Sequence, residues 1–377
     1  VRVIRRVRDY AVWAAVTACL GCLAFATSAT AAVFSPVAGS PFAVSGLARM
    51  VRFSPDGRLL AVSTDSTRPR GQDASAVTLY AVSRAGALTR LAHGVSAGVA
   101  DVEDVGPFLP DGRAVLIWHG ERMAPFAVGR DGVGARLSAW RRIPNEVYGG
   151  GWLTRAGVLA VNGDGTIWTF QTHGDALMPA PASPFKLALV GSVTQFGVTL
   201  SPDGRWLAAG GTLYTLSRSG NDVNRLQLYP LSPGGAVGSH PTASLQLGSG
   251  DMGDMTFSPE SAVLAVADWG RGRLQTYTVG AGGSLTPSPG APLAVGEVSG
   301  LAFSPDGRML AVAPNSGDDV LVYAMDGRGR LRRVADLRTA HVTPPYLGPE
   351  AVAFSPDGRL LVVANWSNET VSMFTVR

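Results

Sequence analysis

Apolar residues in this chain come in short runs separated by turns built from the same few polar residues. One kind of run alternates with period two and ends on Phe or Leu, at Phe53, Phe108, Leu153, Leu200, Phe257, Phe303 and Phe354. That alternation predicts half-buried strands. A turn follows, written fully as Ser54-Pro55-Asp56-Gly57-Arg58 and again from Ser304 and from Ser355, with looser copies at 109, 154, 201 and 258. Pro presets φ at the second turn position, Asp supports the turn with its carboxylate, and Gly accepts the positive φ that closes it. The next run is apolar on both faces, as at 59–62, 206–209, 309–312 and 360–363, which predicts a strand buried on both sides. No stretch of 32–377 sustains helical periodicity.

The copies lie 45 to 57 residues apart and number seven. A second column confirms the count: Tyr80, Phe126, Phe170, Tyr229, Tyr277, Tyr323 and Phe374 each follow a turn. Three residues before them sit Val77, Met123, Ile167, Leu226, Leu274, Val320 and Val371. Ala61, Ala160, Ala208, Ala265 and Ala311 put a small residue at one place in the second run, as crowded, tapering sheets require. Repeats of this length with four strands predict an all-β fold, a seven-bladed β-propeller of four-stranded antiparallel blades. The last repeat stops at its third strand, and 34–44 looks like an orphan fourth strand. The ring is therefore expected to close by pairing 34–44 with 371–376.

The N-terminus adds a second segment. A basic stretch with Arg2, Arg5, Arg6 and Arg8 precedes an apolar run over 11–26 and then small residues ending in Ala29-Thr30-Ala31. This is the build of a cleaved secretory leader; the run is shorter than the ~20 residues of a spanning helix. The domain reading is a signal peptide over 1–31 and a propeller over 32–377, placed outside the cytoplasm, secreted or at the cell envelope, with no membrane span after cleavage. Cys19 and Cys22 both lie in the leader, so residues 32–377 contain no cysteine to form a disulfide or bind metal. Without the leader the formal charge falls from +4 to +1, which leaves no nucleic-acid footprint. Lys186 is the single lysine, a bias that suggests a high-GC bacterial gene.

The phrase Phe-Ser-Pro-Asp-Gly-Arg, followed by a strand ending in an aromatic and then by Ser-Pro-Phe (183–185), resembles the seven-bladed lactonase-type (YVTN-repeat) propellers. The resemblance covers essentially all of 32–377 and implies the fold. It also implies a test for lactone hydrolysis, because those enzymes often carry Gly-Pro-Arg-His at the start of a first strand. The matching stretch here is Gly348-Pro349-Glu350-Ala351, so Glu stands for Arg and Ala for His. A lactonase needs one group to polarise the carbonyl and another to activate water. This departure lowers the enzyme reading.

Long insertions at 65–76, 212–225 and 338–348 fall on the face where first strands begin and second strands end. Such one-sided insertions mark a binding face in repeat proteins, although solvated loops would look the same. Aligning the repeats puts Arg49, Glu103, Asp104, Tyr148, Gln195, Asp254 and Glu350 at the start of first strands. After second strands come His119, Asp268 and Asn365, with Trp269 and Trp366 beside two of them. The candidate ligand-binding set is Arg49, Glu103, His119, Asp268, Trp269, Glu350, Asn365 and Trp366, with no catalytic residue, metal or cofactor assigned. The function expected is a monomeric, non-catalytic binding scaffold for a small molecule, glycan or protein. The alternative is a lactonase-like hydrolase of a small sugar lactone. For the leader, intact-mass analysis of exported protein should give an N-terminus at or near Ala32; retention of 1–31, or a lipidated Cys19, would contradict it.

Overall fold

The computed structural model describes residues 32–65, 76–96, 103–143, 152–163, 166–187, 192–214, 223–248, 252–315, 317–339 and 348–377. Seven antiparallel sheets follow one another along the chain, and Val33–Arg377 form one compact unit. In each sheet the first strand lies innermost, and neighbouring inner strands pack side by side around the ring. These inner strands are Leu47–Phe53, Glu103–Phe108, Trp152–Leu153, Ser192–Leu200, Met252–Phe257, Val298–Phe303 and Pro349–Phe354. They begin blades 1 to 7 in that order. Among the described residues the only helical turns are two short 3-10 turns, Trp269–Arg271 and Trp366–Asn368.

The turn motif works as the sequence predicts, with one addition. Asp56 Oδ1 accepts the Arg58 N–H at 3.0 Å, and Gly57 sits at φ +71°. The Ser is the addition: the Ser54 hydroxyl donates to Asp56 at 2.7 Å and accepts the Leu59 N–H at 2.9 Å. Ser201, Ser304 and Ser355 repeat the same pair of bonds. Blade 5 lacks the Gly, and Ser261 takes its left-handed conformation at φ +61°, a strained position for a residue with a Cβ.

The core is distributed between blades. Seven apolar clusters each join two adjacent blades, including the cluster between blades 7 and 1. The aromatic column and its apolar partners are all buried in them, with Tyr229, Val77, Met123 and Leu274 fully inaccessible. The alanine column is buried as well. A single blade is thus apolar on both faces and is covered only by its neighbours.

Closure follows the expected register. Phe34 pairs with Val376 and Pro36 with Phe374, and after a break Phe42 pairs with Val371. Further bonds run from Val37 N–H to Met373 O at 2.9 Å, from Val44 N–H to Glu369 O at 2.8 Å and from Met373 N–H to Ser40 Oγ at 2.9 Å. Val37 and Val44 are the buried anchors, while Phe34 and Phe42 are partly buried. Re-exposing the two valines costs about 1.5–3 kcal/mol each, a large share of a typical stability of about 5–15 kcal/mol. A chain starting at Ser45 should therefore melt many degrees lower than one starting at Ala32 in calorimetry; coincident melting curves would show another mode of closure.

Candidate functional site at the axial mouth

Inner strands are not regular. In six blades their pairing with the second strand slips register, between Ala48 and Met50, Val105 and Phe108, Val193 and Phe196, Met252 and Met255, Val298 and Gly300, and Pro349 and Ala351. A bulge inserts one unpaired residue and re-aims its side chain. Arg49, Asp254, Ser299 and Glu350 sit at these slips, in blades 1, 5, 6 and 7.

Arg49 is the centre of the arrangement. Its guanidinium pairs with Asp65 at 3.3 Å, with side-chain exposures of 30% and 18%. It also lies over the indole of Trp366 from blade 7, 5.6 Å from the ring centroid. Burial works against the Arg49 charge, but Asp104, Asp65 and Glu350 together outweigh it and hold its pKa above the ordinary arginine value. Glu350 is pushed up by burial. Arg49 and a hydrogen bond to Ser299 pull it back only partly, and Asp104 and Asp65 raise it further. Asp104 is itself held by the Ser63 hydroxyl of blade 1 at 2.7 Å and by the Val105 N–H at 2.9 Å.

A second layer involves Arg52 and Asp254. Asp254 accepts the Met255 N–H at 2.8 Å and the Leu301 N–H of blade 6 at 2.9 Å, stapling two inner strands together. Its carboxyl is nevertheless pushed up to about 6 by burial, against those two bonds and the attraction of Arg52. Arg52 is lowered by the same burial, with Asp254 and Asp104 opposing. Arg52 belongs to blade 1 and Asp254 to blade 5, which are not neighbours, so their attraction acts across the channel. Both are partly exposed. Among the described residues, two arginines, Arg49 and Arg52, thus interact with four carboxyls, Asp65, Asp104, Asp254 and Glu350.

Of the residues proposed from sequence, the structure brings together Arg49, Glu350 and Trp366. Asp268 caps the 3-10 turn of blade 5 by accepting the Arg271 N–H at 3.2 Å, and Trp269 begins that turn. The equivalent turn of blade 7 contains Trp366; there the next blade supplies Arg49, whereas after blade 5 the matching residue is Ser299. Asn365 is buried and donates to Thr370 Oγ1 at 3.0 Å and Ser372 Oγ at 2.9 Å. The His119 ring packs on Trp140 of its own blade at 5.7 Å, and Phe126 and Arg136 contact the same indole. Glu103 pairs with His119 in the backbone register; its side chain, that of Gln195, the whole of Tyr148 and most of the three insertions lie outside the described residues.

Arg52 and Asp65 were not anticipated. Three residues separate Arg49 from Arg52, a spacing that puts side chains on opposite faces of a regular strand. The bulge after Ala48 removes that opposition, and no residue in 47–53 announces it.

The geometry defines a β-propeller with an axial mouth. The family model "Lactonase, 7-bladed beta-propeller" matches residues 289–377, which span the last two blades. Among solved structures, the periplasmic gluconolactonase of Pseudomonas aeruginosa is similar at a TM-score of 0.61 and 19% identity, covering 78% of this chain and 85% of that one. The β-propeller domain of Myceliophteria thermophila Cps50 (Swd1) aligns at 0.63 and 16%, covering 88% and 97%. Kuenenia stuttgartiensis hydrazine synthase aligns at 0.62 and 18%, covering 89% and 97%. Comparison with curated proteins gives no match. The chain thus resembles the lactonase-type propellers in fold and repeats, and at these identities the structural likenesses establish the fold alone.

Asp254 yields a pH prediction. Its folded pKa lies above the ordinary value of 3.8, so the folded state favours the protonated form. Its contribution is then fully present below about pH 4 and is lost as pH rises through about 6, on the order of 1–3 kcal/mol. Asp254→Asn removes this term but also one acceptor. The Tm of the variant minus that of the parent should rise between pH 4 and 7 in differential scanning calorimetry. A difference that falls over that range would mean Arg52 holds the carboxylate ionised.

Proposed function

We propose that the protein is an exported, non-catalytic binding scaffold that uses the axial mouth around Arg49, Glu350 and Trp366. One observation carries this reading: the Arg49 charge is already engaged by Asp65, Asp104, Glu350 and Trp366. An oxyanion-stabilising cation must be aimed at charge that develops in the transition state, and a guanidinium so surrounded is poorly placed for that. Ala351, at the position the family pattern gives to His, is buried in the cluster between blades 7 and 1. Aromatic surface beside polar groups suits a sugar or a peptide segment.

Export is supported by the three-part build of 1–31, and the similar gluconolactonase is described as periplasmic. No helix among the described residues is long and apolar enough to cross a membrane. The second reading, a lactonase-like hydrolase, is favoured by the family match over 289–377. Glucono-δ-lactone hydrolysis followed in a pH-stat separates the two. The scaffold reading expects no turnover above the spontaneous rate. Turnover that Arg49→Ala or Glu350→Gln abolishes would establish the hydrolase instead.

A further inference from the structure

Outermost strands are the exposed edges of this fold, and five of the seven are broken into two short pieces. Such breaks blunt the row of unpaired backbone groups that an edge presents. Blade 6 is different. Its outer strand, Leu331–Arg338, is a single strand of 8 residues, with one bulge where its pairing shifts between Val322 and Tyr323, and is the longest such edge among the described residues. Arg328, Arg330, Arg332, Arg333 and Arg338 on this segment are all exposed.

Nearby acids offset that charge only in part: Asp319 lies opposite Arg338 in the strand register. Asp326 is turned into the preceding loop, where it accepts the Arg328 N–H at 2.9 Å and the Arg330 N–H at 3.0 Å. Asp336 pairs with Arg333. Arg328, Arg330, Arg332 and Arg338 are left with no carboxylate at ion-pair distance among the described residues. By contrast, the unbroken outer strand of blade 4, Ala243–Gly248, has no charged residue.

We propose that the free edge of blade 6 receives an extended acidic peptide segment of a partner protein, added as a fifth antiparallel strand. Strand addition draws affinity from main-chain hydrogen bonds and specificity from the side chains alongside. Both are present here, an outer backbone edge interrupted by a single bulge and exposed guanidinium groups on and beside it. A second copy of this same edge is repelled by its own charge, so the complementary occupant is acidic. An anionic membrane fits less well, because among the described residues the exposed large apolar side chains are Val33, Leu137 and Met178, and none of these lies on blade 6 to anchor in lipid.

The test is fluorescence anisotropy of the full chain with a labelled peptide of alternating Glu and Val. Three comparison probes are the same peptide N-methylated at alternate backbone nitrogens, its Lys-for-Glu counterpart, and vesicles of anionic phospholipid. Saturable binding of the Glu peptide is expected. Combined Arg330→Glu, Arg332→Glu and Arg338→Glu should weaken it about tenfold or more, since rim charges set encounter and selectivity. N-methylation should weaken it as well. Melting curves check that the variant folds, and the Arg→Gln series replaces it if it does not. Absence of saturable binding, equal binding of the N-methylated peptide, indifference to both substitution series, or capture of vesicles without capture of the peptide would each overturn the proposal.

Discussion

A blade of this propeller is apolar on both faces, and that single constraint organises the structure. No sheet can be covered except by the sheets beside it, so burial is complete only when the ring is complete. The seven inter-blade clusters are equivalent in kind, and the one between blades 7 and 1 depends on residues from both ends of the described chain. Val37 and Val44 enter it from the N-terminal strand, and Val371 and Met373 from the C-terminal one. Closure is therefore a packing requirement as much as a matter of strand pairing. The Ser-Asp bonds of the turns serve the same end, because they fix where each buried second strand begins.

The candidate site sits where this regularity lapses. Inner strands have only one hydrogen-bonded neighbour, so a bulge there disturbs a single ladder and can turn a side chain toward the axis. Arg49, Asp254, Ser299 and Glu350 all exploit this. The consequence is electrostatic. Charges from blades 1, 2, 5 and 7 act on one another where burial weakens screening by water, and among the described residues of this group acids outnumber bases. Burial therefore raises Glu350 and Asp254 even with arginines at hand. Three of these acids, Asp65, Asp104 and Glu350, engage Arg49.

The fold was legible in the sequence because its signals repeat. The Phe/Leu column, the Pro-Asp-Gly turns and the aromatic column each occur in nearly every blade, so decay in one copy, as at Leu153-Thr154-Arg155, is corrected by the others. The orphan strand at 34–44 was legible for the same reason. Site residues occur once each, and no repetition corrects an error there. Repeat alignment still grouped Arg49, Glu350 and Trp366, which lie near one another, because their positions relative to the turn are fixed. It placed His119 in the same ring, and that side chain also packs on Trp140 within blade 2. Arg52 and Asp65 stayed hidden behind a bulge and a strand end, features set by backbone register that no residue type reports.

The account rests on the claim that the Arg49 charge is held by its neighbours and is not a free cation at the mouth. A double-mutant cycle on stability, with Arg49→Met, Asp65→Asn and the pair, tests this most directly. Partly buried partners in contact should show a coupling of about 0.5–3 kcal/mol in chemical denaturation. Strictly additive single substitutions would contradict it and return Arg49 to the role of a free cation at the mouth.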